Sequence, residues 1–117
     1  MFGSLFGQVM GGTAVKNMTP AELQEMIKSK KSVLVLDVRQ PEEYAHDGHI
    51  KGARLMPLGS LRSRMSELPK DTPIVCVCRS GARSRTACDL LQSQGFEDVS
   101  NMGGGMIAWK RSRLPFM

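Results

Sequence analysis

Residues 74–84 read Ile-Val-Cys-Val-Cys-Arg-Ser-Gly-Ala-Arg-Ser, an apolar run followed by a short polar loop. An uninterrupted apolar run is typical of a strand that is covered on both faces in a parallel sheet. A helical pattern follows from Arg83 to Gln94, and the positive end of that helix points back towards the loop. The stretch therefore predicts a strand, a loop and a helix in succession, with the thiol of Cys78 at the mouth of a loop that binds anions.

The predicted surroundings of Cys78 favour its thiolate form. Gly81 suits a tight turn in which one residue has a positive φ, and Arg79 and Arg83 add two positive charges near the sulfur. A helix N-terminus and a nearby cation both lower the pKa of a thiol. Cys78 could instead simply end a strand, but that interpretation leaves the glycine and both arginines unexplained.

The two other cysteines are predicted to be core residues. Cys76 lies inside the apolar run, and Cys88 lies beside Ala87 and Leu91 on the following helix. Cys76 and Cys78 are too close along one strand to suggest a disulfide, and neither a Cys-x-x-Cys pair nor a His/Cys spacing indicates zinc. Three cysteines, one of them reactive, indicate a reducing compartment, so we expect a cytoplasmic location and no metal site.

The rest of the chain alternates strands with helices. The predicted elements, in chain order, are a capped helix from Thr19 to about Lys30, a buried strand at 33–36, a short helix from Pro41, a short strand near 54–56, a helix at 60–67, a short strand near Val99 and a last turn through Trp109. Gly95 is predicted to end the helix that follows the loop, and Phe96, the next residue, to make the hydrophobic contact of that helix end. This alternation predicts an α/β fold with a parallel sheet, whose ligands bind beyond the carboxyl ends of the strands, where Cys78 lies.

Length and composition indicate one globular domain. The chain has 117 residues, enough for a core without disulfides, and no apolar run reaches the roughly 20 residues of a membrane span. The net charge is +5, but one Trp, one Tyr and four Phe residues are present and none lies within a basic run, so nucleic-acid binding is not expected. We divide the chain into a Gly-rich apolar arm at 1–12, the domain at 13–113 and a tail at 114–117.

Four segments together resemble a single-domain rhodanese, from about Asn17 to Arg111. The segments are Asp37-Val38-Arg39 with Pro41-Glu42-Glu43-Tyr44, His46-Asp47-Gly48-His49-Ile50-Lys51-Gly52-Ala53, the loop from Cys78 to Ser84, and Met102-Gly103-Gly104-Gly105-Met106-Ile107-Ala108-Trp109. Lys51 stands where proline is usual in the second segment, and Leu55 where the family often has asparagine. Each segment alone is weak evidence, but all four occur in order and at suitable spacings.

The resemblance implies a single α/β domain with a twisted, mainly parallel five-stranded sheet and helices on both faces. It also implies a sulfurtransferase, in which a small anionic donor such as thiosulfate gives its outer sulfur to Cys78. The sulfur is then carried as a covalent persulfide, without any further cofactor. A thiophilic acceptor, which is cyanide in assays and a thiol or a protein in cells, takes it away. The residues support both steps, because a thiolate beside cations suits the first and loop N–H groups suit the second.

Roles follow for the residues of the loop. Cys78 is the nucleophile and the persulfide carrier, Arg79 is a contact on the donor side, and Arg83 holds either the loop or the anion. Backbone N–H groups are expected from four positions, Ser80, Gly81, Ala82 and Ser84. The hydroxyl of Ser84 is also a candidate cap for the helix.

Residues outside the loop are expected to give structural support. These are Asp37, Arg39, Glu43 and His49. We expect Arg39 to pair with Glu42 or Glu43. His49 invites a general-base role, but persulfide transfer needs no obligatory proton acceptor, so a structural role is favoured. The glycines at 103–105 are expected to approach the loop closely, with Trp109 as a core residue.

Other functions remain open on the sequence. A cysteine phosphatase or arsenate reductase uses a loop one residue longer than the four residues that separate Cys78 from Arg83. A non-catalytic module that binds, regulates or carries a persulfide shares the fold, but binding modules commonly lack the cysteine that this chain retains. A redox sensor would use Cys88 as the resolving thiol. The residues favour sulfur transfer over all of these.

Overall fold

Strands and helices alternate along residues 15–117, which the computed structural model describes; the arm predicted at 1–12 lies outside the described residues. The strands are β1 (Lys16–Met18), β2 (Leu34–Asp37), β3 (Arg54–Leu55), β4 (Ile74–Val77) and β5 (Val99–Met102). The helices are α1 (Pro20–Lys28), α2 (Pro41–His46), α3 (Leu58–Arg64), continued by a 3-10 turn at Met65–Glu67, α4 (Ala82–Ser93) and α5 (Gly105–Arg111). None of these helices is long and apolar enough to cross a membrane.

The five strands form one parallel sheet in the order β1-β5-β4-β2-β3. Strand β4 lies at the centre, and its register places Val75 opposite Val35 and Cys76 opposite Leu36 of β2. All four residues of β4 are buried, as the uninterrupted apolar run predicts for a strand covered on both faces. The predicted α/β fold with a parallel, five-stranded sheet is confirmed.

Helices cover both faces of the sheet, because successive residues of a strand point to opposite sides. On one face, Val75 lies in a cluster with Leu23 of α1 and Trp109 of α5. On the other face, Cys76 lies in a cluster with Leu91 of α4, to which α3 also contributes. The side chain of the reactive-cysteine candidate, Cys78, belongs to this second cluster, two residues along the strand direction from Cys76.

The ends of two helices follow the predicted capping patterns. The Thr19 hydroxyl accepts a hydrogen bond from the Glu22 N–H at 3.1 Å, and the Glu22 carboxylate accepts one from the Thr19 N–H at 2.8 Å. At the end of α4, Gly95 has a φ of +91° and the Phe96 N–H donates to the Leu91 carbonyl at 3.1 Å. The predicted start of α1 and the predicted end of α4 are confirmed. The other end of α1 lies at Lys28 and not near residue 30 as predicted.

Strand β1 is the element that the hydrophobic pattern does not predict. It lies at an edge of the sheet and pairs with residues 100–102 of β5. Lys16 and Asn17 are exposed, and Met18 is half-buried. An edge strand needs only one neighbour for its backbone hydrogen bonds, and this one carries no apolar run for a pattern to detect.

Residues 114–117, which we assigned to a tail, pack against the domain. The His49 N–H donates to the Met117 carbonyl at 3.0 Å, and the Met117 N–H donates to the His49 carbonyl at 2.8 Å. The indole N–H of the buried Trp109 donates to the Pro115 carbonyl at 2.9 Å. Leu114 packs, partly buried, on the cluster that contains Trp109. The end of the chain is therefore joined to the loop between α2 and β3.

Candidate functional site

Cys78 lies directly after β4, at the edge of the sheet formed by the carboxyl ends of the parallel strands. The residue is 1% exposed, and the turn from residue 79 to 81 leads from it into α4. Gly81 precedes the helix and has a φ of +107°, a backbone conformation that residues with a side chain rarely adopt. The loop thus turns the N-terminus of α4 towards the sulfur, as the sequence predicts.

The sulfur of Cys78 is surrounded by hydrogen-bond donors. The Gly81 N–H lies 3.1 Å from Sγ, and the Ser84 hydroxyl oxygen lies 3.3 Å from it. Burial alone raises the pKa of Cys78, but hydrogen bonds from the Ser84 hydroxyl and from the backbone N–H groups of Ser84, Gly81 and Ser80 outweigh burial and lower it. This is the direction that we expected. Hydrogen bonds are the main cause of the lowered pKa of Cys78, and the charges of Arg83 and Cys78 also interact.

Ser84 does not cap α4. The helix begins at Ala82, so Ser84 lies inside its first turn, and Gly81 occupies the capping position without a side chain. The Ser84 hydroxyl is fully buried and points back to the cysteine. This placement corrects the capping role that we considered and makes Ser84 a direct neighbour of the sulfur.

Asn101 of β5 is a site residue that the sequence analysis missed. Its Oδ1 lies 2.5 Å from the Ser84 hydroxyl oxygen, and its Nδ2 donates to the Gly81 carbonyl at 3.1 Å. The side chain is nearly buried, at 5% exposure. A buried asparagine is hydrogen-bonded because an unpaired amide is costly. The signal available in the sequence was a polar residue in a short strand that leads into the glycine segment.

Arg83 is engaged by an acidic side chain on another helix. Its guanidinium donates to both carboxylate oxygens of Glu43 on α2, at 2.7 and 2.8 Å. Mainly through this hydrogen-bonded contact, the pKa of Glu43 falls to about 2. We expected Arg83 to hold either the loop or an anion. The geometry favours the first role, because the ion pair connects the first turn of α4 to α2.

Arg39 pairs with Asp37 and not with the glutamates that we expected. Its Nη2 lies 2.8 Å from the Asp37 carboxylate, both side chains are 1% exposed, and Nη2 also donates to the Gly48 carbonyl at 2.8 Å. The expectation was wrong because Glu43 faces Arg83, whereas Asp37 lies buried at the end of β2. A buried ion pair with further hydrogen bonds is expensive to break, which fits the structural role.

His49 packs against Tyr44, and among the described residues no side-chain hydrogen bond joins it to the cysteine loop. Its Nδ1 lies 2.9 Å from the Tyr44 carbonyl, and the two rings stack with centroids 3.7 Å apart. These contacts suit the structural role that we expected.

The glycine segment at 103–105 packs directly against the cysteine loop. A Cβ atom added to Gly105 would overlap with the carbonyl group of Arg79. The close approach predicted for 103–105 is confirmed.

Cys76 and Cys88 are buried side chains, as predicted. A hydrogen bond with Cys88 and burial raise the pKa of Cys76, so it is a poor nucleophile. Among residues 15–117, no three His, Cys, Asp or Glu side chains lie close enough to hold a metal ion. Cys78 differs from Cys76 because the hydrogen-bond donors beside its sulfur stabilise a negative charge and lower its pKa.

Known proteins are similar to this chain in sequence and in fold. The family model of the rhodanese-like domain matches residues 19–112. A "Sulfurtransferase" of Allochromatium vinosum is 42% identical over 88% of this chain and 95% of its own length. A "Thiosulfate sulfurtransferase GlpE" of Pseudoalteromonas translucida is 37% identical, covering 83% of this chain and 90% of its own.

Solved structures agree with these sequence matches. The crystal structure of a rhodanese-related protein from Thermoplasma volcanium superposes with a TM-score of 0.80 at 29% identity, covering 87% of this chain and 97% of that one. Sequence, fold and the cysteine loop point to one family. The chain belongs to the family of rhodanese-like domains and has sulfurtransferases among its relatives.

Proposed function

We propose that this protein is a sulfurtransferase that carries sulfane sulfur as a persulfide on Cys78, from a small anionic donor such as thiosulfate to a thiol or protein acceptor. The observation that carries the proposal is the set of donors around Sγ, from Gly81 at 3.1 Å and Ser84 at 3.3 Å, with a lowered pKa. The thiolate is the form of cysteine that attacks sulfur, and a lowered pKa increases the fraction of Cys78 in that form. The similarity to sulfurtransferases supports the same reaction class.

The first step forms the persulfide. The Cys78 thiolate attacks the outer sulfur of thiosulfate, a new S–S bond forms, and the S–S bond of the donor breaks with its electron pair leaving on sulfite. Arg79 is exposed and directly follows the cysteine, so its charge attracts the dianion. The step needs no oxidant, because the donor sulfur already has the required oxidation state.

The second step returns the enzyme to its starting form. An acceptor thiolate attacks the outer sulfur of the persulfide, and Cys78 leaves as a thiolate. The N–H groups of Ser80, Gly81 and Ser84, which favour the thiolate, also stabilise the leaving sulfur. Ala82, at the first position of α4, belongs to the same loop by position.

A phosphatase or arsenate reductase is the weaker candidate. Arg83, which follows Cys78 after four intervening residues, donates to both oxygens of Glu43 and is already paired. An oxyanion enzyme needs that guanidinium for its tetrahedral substrate. We therefore expect no Cys78-dependent turnover of an aryl phosphate.

Intact mass spectrometry tests the proposal. Incubation with thiosulfate is expected to add one sulfur atom to the protein, and cyanide is expected to remove it. Cys78→Ala should abolish the addition, whereas Cys88→Ala, a matched loss of a buried thiol, should retain it. A protein that gains no sulfur from thiosulfate or from a small-molecule persulfide, or that gains it equally in Cys78→Ala, contradicts the proposal and favours a binding module.

A further inference from the structure

Two large apolar side chains within residues 15–117 are exposed to solvent, Phe116 at 49% and Met117 at 64%. Both line a cavity of about 300 Å³ between α1 and the segment that follows α5. The apolar lining of this cavity consists of Ile27, Ile50, Trp109, Pro115, Phe116 and Met117. We call these six residues the apolar patch. A contiguous group of apolar side chains at a surface marks a contact with another molecule.

Contacts with the domain hold the exposed part of the patch in place. The backbone of Met117 forms two hydrogen bonds with the backbone of His49, at 2.8 and 3.0 Å. The Phe116 ring lies against Gly48 so closely that a Cβ added to the glycine would overlap with it. The exposed apolar side chains therefore belong to a folded surface.

Positive side chains surround the patch. Lys51 lines the same cavity, and Nζ of Lys110 lies 4.8 Å from the centroid of the Phe116 ring. Further cations next to patch residues or to α5 in the chain are Lys28, Arg111 and Arg113. Among the described residues, no carboxylate forms a salt bridge with any of these cations.

The acidic side chains of the same elements do not cancel this charge. Helix α5 and residues 112–117 contain no Asp or Glu. Helix α1 contributes Glu22 and Glu25, and the loop between α2 and β3 contributes Asp47. The cations around the patch outnumber these three carboxylates, so the surface carries a net positive charge.

This combination of side chains fits the interface of a lipid bilayer. Phe116 and Met117 carry no strong hydrogen-bonding group, so transfer out of water is what favours their contact with a partner. The cations belong to α1, to the loop between α2 and β3 and to the segment from α5 onwards. Apolar side chains enter the boundary between headgroups and acyl chains, while Lys and Arg beside them are attracted to anionic headgroups.

The sequence before β1 adds a second apolar segment to the same chain. Residues 1–15 contain no Lys, Arg, Asp or Glu, and they include Phe2, Leu5 and Phe6. A single apolar group gives only marginal binding to a membrane, and a second group or a basic patch makes the binding stable. An uncharged apolar segment together with a basic surface favours a lipid partner over an acidic protein.

We propose that the apolar patch and its surrounding cations dock this protein on the surface of an anionic lipid bilayer, with Phe116 and Met117 in the headgroup region. The patch lies on the face of the sheet that α1 and α5 cover, whereas the side chain of Cys78 belongs to the cluster on the opposite face. The inference goes beyond the proposed sulfur transfer and does not depend on it. Cys78→Ala should therefore bind vesicles as wild type does.

Vesicle flotation tests the proposal. The two kinds of vesicle are phosphatidylcholine alone and a two-to-one mixture of phosphatidylcholine with phosphatidylglycerol. We expect the partition coefficient of the full chain to be at least about ten-fold higher on the anionic vesicles, because each Lys or Arg near an anionic surface contributes several-fold. Added salt should reduce this preference. No binding to the anionic vesicles would overturn the proposal.

Charge variants locate the contact. The double variant Lys51→Gln with Arg113→Gln should lower the partition coefficient on anionic vesicles by about five-fold or more. The matched control is Arg62→Gln with Arg85→Gln, which removes two exposed cations from α3 and α4 on the other face of the sheet. Equal losses in the two double variants would show attraction by net charge alone and overturn the assignment to the patch.

Phe116 variants test whether apolar contact contributes. Phe116→Ser should weaken vesicle binding several-fold, whereas Phe116→Leu, which keeps an apolar side chain, should retain most of it. Urea unfolding of both variants verifies that the domain is intact. Equal binding of the serine and leucine variants would show that the apolar patch does not enter the bilayer.

Trp109, the single tryptophan of the chain, reports which face meets the lipid. It is buried directly beneath the patch, where its indole N–H bonds to the Pro115 carbonyl. Anionic vesicles with brominated acyl chains should quench its fluorescence, because bromine quenches at short range. Binding without quenching would place another face on the membrane. Binding to poly-glutamate but not to anionic vesicles would assign the patch to an acidic protein and overturn the lipid proposal.

Discussion

The hydroxyl of Ser84 lies between two acceptors, the sulfur of Cys78 at 3.3 Å and Oδ1 of Asn101 at 2.5 Å. It has a single proton to donate. The Asn101 amide is oriented by its hydrogen bond to the Gly81 carbonyl, so Oδ1 faces the hydroxyl. When Cys78 is a thiol, the proton is free to go to Asn101; when it is a thiolate, the sulfur is the stronger acceptor. Asn101 therefore influences the acidity of Cys78 through Ser84.

Ser84→Ala tests the hydroxyl directly. We expect the pKa of Cys78 to rise, because the hydroxyl donates a hydrogen bond to the sulfur and the loss of a bond to the charged form favours the neutral thiol. The pH dependence of alkylation by iodoacetamide gives the pKa. Ser93→Ala, which removes a hydroxyl at the other end of α4, is the control and should leave the profile unchanged. An unshifted profile in Ser84→Ala would falsify the role of the hydroxyl.

Asn101→Asp tests the neighbour of that hydroxyl. A carboxylate at this position accepts the Ser84 proton more strongly than an amide does, and it adds negative charge near the sulfur, so the pKa of Cys78 should rise. The same titration in the Ser84→Ala background separates the two causes. A smaller shift there is expected if Asn101 acts through the hydroxyl. Equal shifts in both backgrounds would show that the added charge acts alone.

The sequence predicts where the candidate cysteine of the site lies, but not all of its neighbours. Cys78 and the glycine turn follow from local order, because the strand, loop and helix are consecutive in the chain. The contact between Ser84 and Asn101 joins residues 17 positions apart, and β5 must pair with β4 before the two meet. The same applies to Arg83, whose partner Glu43 lies 40 positions away. Local patterns carry no information on such pairs.

At the level of elements, the ion pair between Glu43 and Arg83 joins α2 to α4. We expect Glu43→Gln to lower the free energy of unfolding at pH 7 by about 1–2 kcal/mol. The full shift of the Glu43 pKa corresponds to about 3 kcal/mol, but solvent screens this partly exposed pair. Urea unfolding measures the difference, with Glu42→Gln on the exposed side of α2 as the matched control.

The same variant has a defined pH dependence. The folded pKa of Glu43 is depressed to about 2, so its contribution is fully present above the ordinary value of 4.5 and is lost as the pH falls towards 2. Wild type and Glu43→Gln should therefore converge in stability between these two pH values. A constant difference from pH 7 to pH 3 would mean that the carboxylate charge is not what stabilises the contact.

The elements differ in how well the sequence predicts them. The apolar runs in β2 and β4 are buried on both faces, and their pattern is unambiguous. The capping sequences at Thr19 and Gly95 define helix ends because their hydrogen bonds are local. Strand β1 escapes prediction because its stability comes from pairing with β5, at the opposite end of the described sequence. Elements are predictable to the extent that local residues determine them.

Across the whole molecule, the parallel sheet brings distant segments to one edge. Asp37 ends β2, Cys78 follows β4, and the glycine segment follows β5, so all three lie at the carboxyl ends of neighbouring strands. The first turn of α5 then bonds to the loop through the Cys78 carbonyl. The loop is thus held by contacts from several segments, and its geometry depends on the integrity of the complete domain.

Removing residues 114–117 tests whether the folded domain includes the end of the described sequence. A chain ending at Arg113 loses the two backbone hydrogen bonds between His49 and Met117, the bond from Trp109 to the Pro115 carbonyl, and the packing of Leu114. We expect the free energy of unfolding to fall by about 2–4 kcal/mol, since each hydrogen bond contributes about 1 kcal/mol. A chain ending at Pro115 keeps the contacts of Trp109 and Leu114 and should lose about half as much. Equal stability of all three chains, measured by urea unfolding, would show that these residues form a tail outside the domain, as their sequence alone suggests.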